Sequence, residues 1–233
     1  MSRFNFKLMI LCCCAVLASS ASAQDEKKPD QNPQSQNSIF GNFLPFVGTT
    51  VSPSLTLPGF HGVDPFTELD GTATLHRSAT GIGYTYSARN LQPNSSYTNW
   101  FVAFNNPKSC FTPCACGLED LENPAANVGV YYATGRVSDA YRQAIFMSET
   151  DYGELPTGDD QVPFDLLTTA VKTRAEVHLV IRTHGLAAQD EGLREDQLTS
   201  FNKGCGPDGC VDQQVSVHRS PTCFTRGRRL RLN

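Results

Sequence analysis

One stretch of the chain, residues 97–116, constrains the fold more than any other. It begins with Tyr-Thr-Asn-Trp-Phe-Val-Ala-Phe, a run of aromatic and β-branched residues that contains the only tryptophan, Trp100. Such a run favours a β-strand. Asn105-Asn106-Pro107 then ends the strand, because these residues favour turns and proline cannot donate to a sheet. Three cysteines follow: Cys110, Cys114 and Cys116. The sequence therefore predicts a central strand that leads into a disulfide-stapled loop.

Both faces of this predicted strand are apolar. Side chains alternate across a strand, so Trp100, Val102 and Phe104 share one face while Phe101 and Ala103 share the other. A strand with two apolar faces is expected to be buried on both sides. We therefore predict that Trp100 belongs to the core.

The cysteines indicate an oxidising compartment. Three of the nine lie near the N-terminus, at positions 12–14, and an even number remains for three disulfides. Cys205-Gly-Pro-Asp-Gly-Cys210 predicts a local bridge across turn-forming residues. Cys110 is expected to pair with Cys114 or Cys116, and the remaining one with Cys223. A zinc or iron–sulfur site is disfavoured, since thiols are not kept reduced outside the cytoplasm.

The first 23 residues have the pattern of a secretory signal peptide. Arg3 and Lys7 precede an apolar run over 8–18, and Ala21-Ser22-Ala23 resembles a cleavage site. A lipoprotein signal is the alternative, but the early cysteines lie inside the apolar run rather than at its end. No later segment has the ~18 apolar residues of a membrane helix. We predict a secreted, periplasmic or cell-surface protein without an integral membrane span.

The charge balance argues against a nucleic-acid partner. The whole chain carries a net charge of −4, and removal of Arg3 and Lys7 with the signal peptide makes it more acidic. Nucleic-acid binding requires a basic face. The arginine cluster at 226–231 is expected to be a solvated tail.

The remaining chain divides by composition. Residues 24–38 are polar and predict a disordered leader, and residues 39–70 are rich in Pro and Gly and predict extended chain that packs on the domain. Residues 71–223 contain roughly eight strand-like segments separated by turn signals. We predict a single antiparallel β-sandwich, immunoglobulin-like or jelly-roll, with short helical turns such as 166–172 and a basic tail over 224–233.

Histidines in the strands are the first candidates for a metal site. His178 and His184 are six residues apart, which is ~20 Å along an extended strand, so they cannot share one ion. A zinc or copper site would need His178 together with His76, His218 or Glu176. Strand histidines that are exposed or hydrogen-bonded are the favoured alternative, so no cofactor is predicted. Calcium could instead bind acidic loop segments such as 149–151 and 159–160.

Motifs for catalysis are missing from the sequence. There is no Gly-x-Ser-x-Gly nucleophile elbow and no glycine-rich phosphate loop. Paired loop carboxylates from the acidic region 119–160 leave open a metal-dependent or acid–base hydrolase that works at the loops. The favoured function is non-catalytic recognition or association with the envelope or extracellular matrix, with a protein or a glycan as partner.

Two surfaces are candidates for that recognition. Tyr84 and Tyr86 lie on one face of a flanking strand and are expected to form an exposed patch. Asn105 and Asn106 mark the point where the sheet presents the cysteine-rich loop. Asn94-Ser-Ser also matches an N-glycosylation acceptor.

Two longer motifs carry a family resemblance. The first is Trp100-x-Val-x-Phe-Asn-Asn-Pro-x-x-Cys110, and the second is Ala175-Glu-Val-His-Leu-Val-Ile-Arg-Thr-His-Gly185. Together they resemble a group of secreted bacterial all-β proteins without assigned function, over about residues 71–218. The chain differs from that group in Cys114, Cys223 and its arginine-rich end. The resemblance implies one secreted all-β domain and no catalytic residues.

Overall fold

The computed structural model describes residues 48–57, 64–153 and 172–223. The predicted signal peptide, the polar leader, the basic tail and the helical turns over 166–172, apart from Lys172, lie outside the described residues.

Within the described residues, eight antiparallel strands form one sheet. Their bounds are β1 Gly48–Thr56, β2 Glu68–Arg77, β3 Gly81–Ala88, β4 Ser95–Phe104, β5 Val128–Val137, β6 Ala144–Asp151, β7 Glu176–Leu186 and β8 Val211–His218. The order across the sheet is β5-β4-β7-β8-β1-β2-β3-β6. Short 3₁₀ turns occupy Pro107–Ser109, Leu118–Asp120, Pro124–Ala126 and Pro221–Cys223, and one helix, α1, spans Glu191–Thr199.

The sheet is nearly closed and resembles a barrel. Its two end strands, β5 and β6, contact each other although they do not pair by backbone hydrogen bonds. Eight strands enclose an interior that side chains alone can fill. The prediction of an antiparallel β domain is confirmed, but the single curled sheet is not clearly the two-sheet sandwich that the strand pattern indicated.

Strand β1 enlarges the domain towards the N-terminus. It pairs with β2 on one side and with β8 on the other. The register shifts at Pro53/Ser54, and such an irregularity accommodates a proline inside a sheet. The segment was predicted to pack on the domain as extended chain with at most an edge strand, whereas it contributes an internal strand.

The hydrophobic part of the interior comes mainly from six of the eight described strands, β2 to β7. Its buried residues include the aromatic side chains of Tyr86, Phe101 and Phe146, together with Leu179 and Ile181 of β7. Phe101 meets Tyr131 edge to face, at 5.9 Å between ring centroids. Such aromatic pairs add to the free energy gained from area burial alone.

A second apolar cluster lies on the outer face of β4. Trp100, Val102 and Phe104 pack there against the disulfide Cys110–Cys116 and against Phe201. Every residue of β4 is buried, and Trp100 is only 2% exposed. The prediction that this strand is covered on both sides is confirmed, and the loops beyond the strand ends supply the outer cover.

Helix α1 packs against β4 and β5. Asp190 caps its N-terminus by accepting a hydrogen bond from the Leu193 N–H at 2.8 Å. Its last turn lies directly on β5, because a Cβ at Gly135 would be 2.0 Å from the Leu198 carbonyl oxygen. Only glycine permits this approach.

Candidate functional site

The segment between β4 and β5, residues 105–127, packs on the outer face of β4, and we call it the cysteine loop. Two disulfides fix it. Cys110–Cys116 closes its central part, and Cys114–Cys223 joins it to the turn after β8. Both pairings fall within the alternatives that the sequence allowed. The predicted bridge Cys205–Cys210 is present as well.

Asp120 organises the cysteine loop from within. Its carboxylate is excluded from solvent and accepts hydrogen bonds from the Phe111 N–H at 2.7 Å and the Gly117 N–H at 2.9 Å, with a longer one from the Asn123 amide. Burial acts to raise the pKa of Asp120, but these hydrogen bonds outweigh it and the pKa is lowered. An ionised carboxylate thus holds two distant parts of the loop together.

The tip of the cysteine loop exposes apolar side chains. Phe111 is 69% exposed and Leu118 is 58% exposed. The backbone N–H groups of Phe111 and Gly117 both donate to the Asp120 carboxylate. Because Leu118 follows Gly117 directly, the backbones at Phe111 and Leu118 lie close together. Apolar groups held in water by a rigid loop suggest a contact surface.

Asn105 and Asn106 help to shape this loop. Asn105 is buried, and its side-chain oxygen accepts a hydrogen bond from the Lys172 N–H at 2.8 Å. Asn106 is exposed, but its amide group donates to Ser109 Oγ and to the Ala125 carbonyl. The prediction of Asn105 as a binding surface is therefore wrong, since the turn draws its polar atoms into internal contacts.

Tyr84 and Tyr86 are also not a surface. They are 4% and 0% exposed and point into the sheet interior, and Ser54 lies 2.6 Å from the Tyr86 hydroxyl. The prediction placed them correctly on one face of β3 but on the wrong side of the sheet. The opposite face of β3 carries Gly83, Thr85 and Ser87, so burying the tyrosine face removes more apolar area from water.

The outer face of β2, β3 and β6 forms a shallow groove of about 760 Å³. His76, Gly83, Thr85, Met147 and Glu149 contribute to its lining. His76 lies 3.1 Å from Thr49 Oγ1 and is exposed. The groove is open and its lining is mixed polar and apolar, and Glu149 and Asp151 on the same strand are exposed there.

The four residues considered for a metal site are not brought together. His218 pairs with the inward-facing Val177, so it points into the interior, whereas His178 lies on the outer face against Phe104. His76 is on the outer face of β2. Only Glu176 and His178 meet, at 3.0 Å between carboxylate oxygen and Nε2.

His218 is a neutral buried histidine. It is 1% exposed, its Nδ1 lies 3.0 Å from Thr50 Oγ1, and its Nε2 lies 3.4 Å from Ser216 Oγ. Burial, with smaller contributions from the charges of Arg77 and His178, lowers the pKa of His218 to about 3. The Ser216–His218 pair resembles a nucleophile and its base, but both groups are inaccessible to a substrate.

Glu176 connects the cysteine loop to the sheet. Its fully buried carboxylate accepts hydrogen bonds at Oε1 from the Cys116 N–H, His178 and Arg219, while Oε2 has no hydrogen-bond partner. Arg219 was missed in the sequence because it follows β8 directly and no pattern marks it as the partner of a residue on β7. The carboxylate is buried while Arg219 remains partly exposed, and their contacts stabilise the attachment of the loop.

Two other groups combine potential metal ligands. Cys110, Cys116 and Asp120 form one, and His184, Cys205 and Cys210 form the other, each with ligand atoms within 4.8 Å of one another. In both groups the cysteines are joined as disulfides, so they offer no thiolate ligands. Asn94, the glycosylation candidate, is exposed in the turn before β4, and its modification stays a prediction.

Comparisons with known proteins give no assignment. No family model, no curated protein and no solved structure matches this chain. Among the described residues, no helix is long and apolar enough to cross a membrane.

Proposed function

We propose that this protein is an exported recognition domain that binds a protein partner through Phe111 and Leu118 of the cysteine loop. The observation that carries the proposal is the rigid presentation of these two apolar side chains, which are 69% and 58% exposed on a loop fixed by two disulfides and a buried carboxylate. The three disulfides and the signal-like N-terminal segment support export.

Rigidity of the loop favours binding. A partner that docks on a flexible loop must offset the conformational entropy of ordering it, whereas this loop is ordered beforehand. Large side chains that insert into a partner's pocket commonly carry most of the binding free energy. Phe111 has the size and position of such an anchor, and Leu118 extends the apolar area beside it.

The chemistry of the patch favours a protein over a glycan. Sugar recognition requires hydrogen-bonding groups placed around the apolar contact, whereas Phe and Leu offer none. An apolar pocket on a protein surface matches them better. The hydrolase alternative has less support, because the described Glu176, His178 and Ser216–His218 groups are engaged in internal contacts. Membership of the group of secreted bacterial all-β proteins remains part of this proposal and rests on the two sequence motifs alone.

Site-specific photo-crosslinking tests the proposal. A benzophenone amino acid replaces Phe111 in the full chain expressed in its native host, and the matched control carries it at Tyr141, which is 80% exposed in the turn between β5 and β6. We expect a discrete protein adduct from position 111 and none of that mass from position 141. Leu118→Ser should weaken the adduct from position 111.

Three results would contradict the proposal. They are the absence of an adduct at position 111, the same adducts from both positions, and an adduct that is sensitive to glycosidase rather than to protease. An adduct with twice the mass of the chain would replace the proposed partner with a second copy of this protein.

A further inference from the structure

A second disulfide-closed loop lies far from the cysteine loop in the sequence, between α1 and β8. Cys205–Cys210 closes it over a sequence separation of 5. The loop docks on the end of β7, where the Gly206 N–H donates to the His184 carbonyl at 2.9 Å. Gly185 has a φ of +87°, and a Cβ there would be 3.3 Å from the Gly206 Cα, so the two backbones approach closely. This contact holds the disulfide over the His184 ring.

The hydrogen bonds of His184 fix which ring nitrogen carries the proton. Nδ1 lies 2.9 Å from the Lys203 carbonyl oxygen, which can only accept, so Nδ1 is the donor. Nε2 then accepts from Thr98 Oγ1 at 3.0 Å, and Thr98 in turn accepts from the Trp100 indole N–H. His184 is fully buried, and burial lowers its pKa, with Lys203 and Asp212 acting to raise it and Arg182 acting to lower it. The ring is therefore neutral, with its N–H at Nδ1.

That N–H also points at one sulfur of the disulfide. Nδ1 lies 3.1 Å from Cys210 Sγ. Cys205 Sγ instead lies 3.1 Å from the Asn202 carbonyl oxygen, whereas Cys210 Sγ lies 3.9 Å from the Lys203 carbonyl oxygen. An N–H donor stabilises a thiolate, and a carbonyl oxygen suits a protonated thiol. Reduction would therefore leave Cys210 as the thiolate and Cys205 as the thiol.

The Cys205–Cys210 disulfide is accessible from solvent. Both cysteines are half-buried, and the loop residues 207–209 beside them are exposed. The disulfide Cys110–Cys116, by contrast, is 4% and 5% exposed. Cys114–Cys223 is half-buried as well, but no histidine hydrogen-bonds to its sulfurs within the described part of the chain. Accessibility and an adjacent imidazole N–H therefore occur together only at Cys205–Cys210 among these three bridges.

We propose that Cys205–Cys210 is a thiol–disulfide exchange site for an external dithiol. The thiolate of the dithiol attacks Cys205 Sγ and forms a mixed disulfide. The Sγ–Sγ bond breaks, and its electron pair goes to Cys210 Sγ, which is hydrogen-bonded by His184. The second thiol of the reagent, as its thiolate, then attacks the mixed disulfide and becomes the oxidised reagent. Cys205 leaves and takes a proton from water, so two electrons pass from the dithiol to the protein.

Timed reduction of the folded, exported protein tests this site. Dithiothreitol is added at a concentration that leaves the fold intact, and free thiols are trapped with iodoacetamide and located by mass spectrometry. We expect Cys205–Cys210 to open about tenfold faster than Cys114–Cys223, because a leaving thiol of lower pKa departs faster. With glutathione as a monothiol probe, the mixed disulfide should form on Cys205 and not on Cys210. Equal rates for the two bridges, or attachment to Cys210, would overturn the proposal.

Two substitutions of His184 separate its hydrogen bond from its role in packing. The Asn amide superposes on the Nδ1 side of the imidazole, so His184→Asn keeps a donor towards Cys210. His184→Gln places its amide on the Nε2 side and removes that donor. We expect slow reduction in His184→Gln and near-normal reduction in His184→Asn, with circular dichroism confirming that both are folded.

The thiol pKa supplies a readout that does not depend on either variant's stability. In Cys205→Ser, the pH dependence of Cys210 alkylation should give a thiol pKa clearly below the ordinary ~8.5. Combining Cys205→Ser with His184→Gln should return it towards that value. A Cys210 pKa that does not respond to His184 would show that the imidazole has no part in the exchange.

Discussion

The Cys114–Cys223 bridge should contribute more to stability than any other single crosslink. It joins the cysteine loop to the end of β8 over a sequence separation of 109, whereas Cys205–Cys210 spans only 5. In the chain-entropy model a closed loop of about 110 residues restricts the unfolded chain by about 4.8 kcal/mol, and a loop of about 6 residues by about 2.2 kcal/mol. Replacing both cysteines of each pair with alanine removes the bridge without creating a free thiol.

Urea unfolding of the mature protein, followed by tryptophan fluorescence, measures the difference. Trp100 reports directly, because it is packed between the sheet and Phe201 at 5.0 Å between ring centroids. We expect Cys114→Ala/Cys223→Ala to lose about 4–5 kcal/mol of unfolding free energy, which corresponds to a Tm lower by roughly 10–20 °C for a chain of this size. The matched variant Cys205→Ala/Cys210→Ala should lose about half as much.

The reasoning is refuted if the long-range variant loses no more stability than the short-range one. A loss below about 1 kcal/mol would show that other contacts, such as Glu176 with Arg219, already restrict the C-terminal segment to the same extent. The m-value must also be compared, since removing a crosslink that spans half the chain should increase the surface exposed on unfolding.

Three further perturbations test the packing and the buried titratable groups. Tyr84→Phe should be neutral or slightly stabilising in denaturant unfolding, because the buried Tyr84 hydroxyl has no hydrogen-bond partner. Tyr86→Phe should instead cost about 1 kcal/mol, because it removes the contact with Ser54. Equal effects of the two substitutions would contradict the assigned contacts. Gly135→Ala should strongly destabilise the protein in thermal unfolding, because the new Cβ would meet a helix carbonyl at 2.0 Å, and a folded variant with unchanged Tm would show that α1 does not lie there. The folded-state pKa of about 3 for His218 lies below the unfolded value of ~6.5. As the pH falls from 6.5 towards 4, the unfolded chain therefore gains a proton that the folded protein does not. The free energy of unfolding then falls by up to about 1.4 kcal/mol per pH unit. His218→Gln should reduce that slope relative to the exposed control His76→Gln.

Residue type and short-range spacing were sufficient to predict several of the strands. β-branched and aromatic residues at 81–88, 97–104 and 174–183 predicted three strands, and the structure has strands at Gly81–Ala88, Ser95–Phe104 and Glu176–Leu186. The even number of cysteines outside the N-terminal segment predicted three bridges. The turn-forming residues between Cys205 and Cys210 predicted the pairing of one of them. Pro53 argued against an internal strand at the position of β1, because proline is excluded from a strand interior except at an irregularity of the kind found there.

The sequence pattern did not show which face of a strand is buried. Tyr84 and Tyr86 alternate with Gly83 and Thr85 in a pattern that fits either orientation. Both tyrosines face inward, because the interior of the nearly closed eight-stranded sheet is filled by large side chains. For the same reason the paired strands β7 and β8 point His178 outward and His218 inward, and the metal site considered for them does not form.

The sequence by itself determined an antiparallel β protein, a cysteine-rich loop after its tryptophan strand and a set of cysteines suited to an oxidising compartment. These properties follow from side-chain type and period-two spacing, which act between neighbours in the chain. The tertiary structure alone decided that Asp120 binds both halves of the cysteine loop, that Phe111 and Leu118 are exposed on it, and that His184 lies beside Cys210. The position of His184 beside Cys210 depends on the pairing of β7 with β8, and the arrangement of the cysteine loop depends on which cysteines are joined. No local sequence pattern encodes either of these.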